Sequence, residues 1–98
     1  MSFAEFENEE MRLSILVVLD SDSDYSMNDS VILRALESLG YKPSSDKLVA
    51  ELHWLKELSL IDIEQSMGFT VAKLTRRGSD VAQGRSSVPG IPRPRPNR

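Results

Sequence analysis

Between Leu58 and Ile61 the spacing of the apolar residues changes, and this change limits what the chain can fold into more than any other feature. Before it, Leu48, Leu52, Leu55 and Leu58 recur at three and four residues, the period of one helix face. After it, Ile61-Asp-Ile-Glu-Gln and Phe69-Thr-Val-Ala-Lys-Leu alternate apolar with polar, the period of half-buried strands. Met67-Gly68 stands between these two runs as a turn, so they read as an antiparallel hairpin. Helices followed by a hairpin define an α+β fold. At 98 residues there is room for one small core.

The remaining elements follow from their boundary residues. Glu7 to Leu19 reads as a first helix, with Glu7, Glu9 and Glu10 at the end where the helix dipole favours carboxylates. By period alone, Ile15-Leu16-Val17-Val18-Leu19 could be a buried strand. The helix is preferred because Glu10-Met11-Arg12-Leu13 leads into the run without a turn. A stretch that is apolar all round needs cover on two sides, and a second protomer is the expected second cover. Asp20 to Asn28 reads as a polar loop, and Asn28 as the N-cap of a helix Asp29 to Leu39. Gly40 ends that helix and Pro43 blocks its continuation. Ser44 or Ser45 caps a third helix running to about Leu58. Thr75 caps a last one, about Arg76 to Gln83, closed by Gly84. Ser86 to Arg98 has four prolines in the last ten residues and few bulky side chains, so it is expected to be disordered or polyproline-like.

Composition removes several functions. With no cysteine there is no disulfide, zinc finger or thiol nucleophile, and the single histidine, His53, builds no multi-His metal site. No apolar run approaches the roughly 20 residues of a membrane span, and Met-Ser-Phe-Ala-Glu-Phe-Glu is acidic where a signal peptide is basic. A cytoplasmic protein without cofactor, metal or evident small-molecule ligand is expected. A lone His53, with no glycine-rich phosphate loop, offers no nucleophile–base arrangement, so the chain is not expected to be an enzyme. Asp20-Ser-Asp-Ser-Asp opens like a calcium loop, but Tyr25 stands where that loop needs glycine and Val31 where it needs a bidentate glutamate. The net charge of −3 is uneven: eight acids against Arg12 in residues 1–30, seven of each sign in 31–84, and four arginines with no acid in 85–98.

Ser45 to Ile61 resembles the third helix and exit of ArsR- and MarR-like winged-helix regulators. Val71-Ala-Lys-Leu-Thr-Arg-Arg-Gly-Ser-Asp-Val-Ala resembles their second wing strand and following helix, with its Leu-Thr-x-x-Gly step. Including Gly84-Arg85 and Val88-Pro89-Gly90, the pattern is similar to small winged-helix proteins of Mu-like prophages. The resemblance spans about residues 10 to 85. It implies a small winged helix-turn-helix in residues 1–85: a three-helix core, a β-hairpin wing and a short C-terminal helix, with 86–98 as a disordered Pro/Arg-rich tail. Leu39-Gly-Tyr-Lys-Pro-Ser44 is then the helix-turn-helix turn.

The function so implied is that of a phage- or prophage-type DNA-binding protein, a transcriptional regulator on double-stranded DNA and a homodimer through the first helix. The rival reading is a winged helix that docks proteins in a phage assembly. In the DNA reading the third helix enters the major groove. The contact set is then Lys42, Ser44, Ser45, Lys47, Ala50, His53 and Lys56 on the turn and third helix, with Lys73, Arg76 and Arg77 by the wing. The face opposite the leucine stripe carries Asp46, Ala50, His53, Trp54 and Glu57, and two acids suit a phosphate-lined groove poorly. Trp54 is read either as a partner surface or as packed on the wing or tail. Pro92-Arg-Pro-Arg-Pro96 is read as a polyproline ligand, a basic arm on phosphates or a solubilising terminus.

Overall fold

The computed structural model describes residues 2–95. Its elements run α1 (Phe3–Asp20), β1 (Ser26–Asn28), α2 (Asp29–Ser38), α3 (Ser45–Glu57), β2 (Ile61–Ser66), β3 (Phe69–Leu74) and α4 (Arg76–Ala82). The three strands form one antiparallel sheet in the order β1-β3-β2. Four helices on a three-stranded antiparallel sheet make a compact α+β domain.

Each expected cap is in place. The side-chain oxygens of Asn28, Ser44 and Thr75 accept the backbone N–H of Val31, Lys47 and Gly78, so the starts of α2, α3 and α4 are set by one residue apiece. α1 begins four residues before the expected Glu7, because Ser2 caps it by accepting the Glu5 N–H. Residues 2–7 are all exposed, so the start of α1 stands clear of the domain. The hairpin turns through Met67 and Gly68, both at positive φ (49° and 82°), in register from Ile61 opposite Leu74 to Ser66 opposite Phe69.

Three expectations are corrected. The loop Asp20 to Asn28 contains β1, whose Ser26, Met27 and Asn28 pair with Lys73, Ala72 and Val71. Three residues are too few to show a period, and the strand depends on β3 for its partners. The loop's acids serve this geometry: the Asp22 carboxylate accepts the N–H groups of Asp24 and Ser26, and Asp20 accepts from Ser79 Oγ in α4 and from Nε2 of Gln83, the C-cap of α4. Secondly, the run Ile15–Leu19 is covered largely by its own chain. Ile15, Leu16 and Leu19 are fully buried among residues of the other elements, and only Val17 is left exposed.

The third correction concerns the tail. Val88 and Ile91 are 8% and 6% exposed and belong to the core. Gly90, at φ 93°, turns the backbone between them, and the Ile91 N–H approaches the Val88 carbonyl at 3.4 Å. The chain then doubles back, and Arg93 Nη2 donates to the Gly84 carbonyl at 3.0 Å. This segment is a closed loop packed by its own side chains, not a free tail. The expectation of disorder for residues 96–98, and the last proline of the Pro/Arg motif, lie outside the described residues.

Candidate nucleic-acid interface

α3 is held from behind by charge. Glu51 falls within the arc of the leucine stripe and is buried, a position that demands a cation. Arg12 supplies it: its Nε stands 2.5 Å from Glu51 Oε1, while its guanidinium lies 4.0 Å over the Trp54 ring. Its Nη1 also donates to the Gly90 carbonyl at 3.2 Å, so one arginine joins α1, α3 and the C-terminal loop. Glu51 was not singled out by the sequence reading. The signal that finds it is a glutamate inside an apolar stripe, together with the one base among the first thirty residues, where eight acids stand.

These contacts sort the expected site residues. Lys47 is half-buried and its Nζ is 3.4 Å from Glu51 Oε2, so its charge is partly engaged by that buried carboxylate. Trp54 is half-buried under Gly90, which resolves its two readings in favour of packing on the tail. Ser44 is spent as the N-cap. Ser45, Ala50, His53 and Lys56 are exposed along the outer face of α3, with Lys42 exposed in the turn before it. Asp46 and Glu57 share that face, which therefore carries no surplus of positive charge.

Lys73, Arg76 and Arg77 do not gather beside α3. Lys73 is exposed, but Asp62 stands directly opposite it in the register and Glu64 follows on the same side of the sheet. Arg76 and Arg77 are exposed on α4, and neither makes an ion pair among the described residues. Arg76 shares a cleft with Tyr25 and Arg85, away from the hairpin tip. The tip, Gly68 and Phe69, instead lines a cleft with Asp29 and Ser30 of α2 and Ser45 of α3. Met67 there is almost fully exposed. No helix among the described residues is long and apolar enough to cross a membrane.

A compact α+β domain with an uncovered third helix is the class that these features define. No family model matches the chain. It is 41% identical over 88 residues to the uncharacterized protein gp26 of Escherichia phage Mu, a match covering 90% of this chain and 91% of the phage protein. An uncharacterized protein of Haemophilus influenzae is 38% identical over 78 residues, covering 79% of this chain and 76% of the other. The chain belongs to the family of the phage Mu protein gp26.

Proposed function

We propose that the domain is a winged helix and that it acts as a phage-type double-stranded-DNA-binding protein, a transcriptional regulator working as a homodimer through α1. The observation that carries this reading is the α2–turn–α3 unit. Gly40, at φ 97°, closes α2, Ser44 opens α3, and the outer face of α3 is left without cover beside a β-hairpin. The element order, with a short β1 added to the hairpin, supports the winged helix-turn-helix reading. The kinship with a phage Mu protein agrees with a phage setting. In this reading Ser45, Ala50, His53 and Lys56 face base edges in the major groove, and Lys42 touches the adjacent backbone.

A second reading has an observation of its own. Asp46 and Glu57 flank His53 on α3, and Met67 and Phe69 expose apolar surface at the hairpin tip, features that suit a protein-docking winged helix. Selection from a randomised duplex pool at low salt separates the two. The DNA reading expects an enriched motif whose preference changes in His53→Ala while affinity for bulk duplex stays within about twofold. If no duplex is retarded at about 50 μM protein, the docking reading takes its place.

A further inference from the structure

The charge of this molecule divides by element. Residues 1–74 hold fourteen acids and six bases, whereas residues 75–95 hold Arg76, Arg77, Arg85, Arg93 and Arg95 against the single acid Asp80. The fold keeps these arginines together. Arg76 and Arg85 line one cleft of about 260 Å³ with Tyr25, Leu74, Thr75 and Ser79. Arg93 is brought next to Arg85 by its bond to the Gly84 carbonyl, a contact that exists only because the C-terminal loop doubles back.

Most polar groups of the cleft are already committed. Thr75 Oγ1 donates to the Ser59 and Leu60 carbonyls, and Ser79 Oγ donates to Asp20. Arg85 is held by Asp80 at 2.9 Å and donates to Gln83 Oε1, exposed contacts that an incoming anion can exchange at little cost. The donors left facing solvent are the guanidinium of Arg76, the phenol of the exposed Tyr25 and, once released, Arg85. Two guanidiniums and a phenol around a cleft of this size suit a phosphodiester group, and Arg77, Arg93 and Arg95 extend the positive surface beyond it.

We infer that α4 and the returning C-terminal loop form a second, sequence-independent face that binds the phosphate backbone of double-stranded DNA, with the Tyr25–Arg76–Arg85 cleft as its phosphate seat. This rests on the DNA-binding reading and changes where the affinity comes from. α3 reads bases but contributes little charge, because Lys47 is held by Glu51 and Asp46 and Glu57 oppose Lys56. The α4 face supplies the electrostatic attraction and carries no sequence information.

The test is the salt dependence of binding to a labelled random-sequence duplex, read by fluorescence anisotropy between 50 and 200 mM salt. The triple variant R76A/R77A/R85A is expected to lower the slope of log K against log salt by about 2 to 3, at roughly 0.9 per lost phosphate contact. Its affinity should fall at least about tenfold at the lower salt, with the melting temperature held near the parent's because all three side chains are exposed. If that variant binds as the parent does while K42A/K56A flattens the slope, the inference is overturned and the DNA-binding reading stands. If the triple variant loses the slope but H53A leaves sequence preference untouched, the α4 face stands and the groove role of α3 falls. If the parent binds no duplex at all, both fall.

Discussion

At position 78 a β-carbon would stand 2.0 Å from the Leu60 carbonyl oxygen and 2.7 Å from Leu74 Cδ1. The obstacle is largely backbone, so no side-chain rotation relieves it. Thr75, three residues earlier, caps α4 through the Gly78 N–H and donates its own hydroxyl to the Ser59 and Leu60 carbonyls. The Leu-Thr-x-x-Gly step is thus a device for laying the first turn of α4 on the exit from α3: threonine bridges the two, and glycine permits the contact. Gly78→Ala is expected to cost about 3 kcal/mol or more, at the upper end of what overpacking costs. That corresponds to a fall in melting temperature of at least about 12 °C for a domain of this size. Circular-dichroism melting reads it directly; an alanine variant melting within about 3 °C of the parent would mean that α4 does not sit on Leu60. The step was visible in the sequence as a resemblance, whereas its cause lies in a contact eighteen residues away along the chain.

Elements that announce their ends in single residues were legible. Asn28, Ser44, Thr75, Gly40 and the Met67-Gly68 turn each satisfy local backbone groups, so local sequence suffices to place α2, α3, α4 and the hairpin. β1 and the C-terminal loop were not, because each depends on a distant partner. β1 has only the edge of β3 to pair with, and Val88 and Ile91 reach the core through the turn that Gly90 makes over Trp54. The same division holds in the candidate site. The exposed residues of α3 follow from its leucine period, but the pairing of Lys47 and Arg12 with Glu51 joins residues that periodicity treats separately. A chain ended at Ser86 tests the loop as an element. It uncovers Trp54, removes two buried aliphatic side chains worth roughly 1.5 to 3 kcal/mol each, and deletes the carbonyl that accepts from Arg12. With part of that offset by the freed chain's entropy, the expected loss is about 2 to 4 kcal/mol. An unchanged melting temperature would return the segment to the status of a free tail.

At the scale of the whole molecule the open question is what covers the outer face of α1. Phe3, Phe6 and Val17 are exposed, and Phe6 and Val17 lie on one line of the helix, eleven residues and about 16 Å apart. Ile15, Leu16 and Leu19 are already buried within the chain, so a dimer must be built on these three side chains. A parallel pairing would set Glu5, Glu7, Glu9 and Glu10 beside their copies. An antiparallel two-fold pairing keeps the acidic ends apart and brings Phe6 of one copy near Val17 of the other, with the helix dipoles opposed. The apolar gain is small: three partly exposed residues per chain, each adding at most about 1 to 2 kcal/mol on further burial. Association itself costs at least about 4 kcal/mol, so the dissociation constant is micromolar at its tightest. Sedimentation velocity should therefore show monomer at about 1 μM and mostly dimer at about 100 μM. Val17→Glu and Phe6→Glu, each adding an acid to the seam, should each leave only monomer across that range without lowering the melting temperature of the dilute protein. A parent that stays monomeric at about 100 μM removes the homodimer. A regulator on this fold would then have to meet DNA as a single copy, with one α3 and one α4 face to hold it.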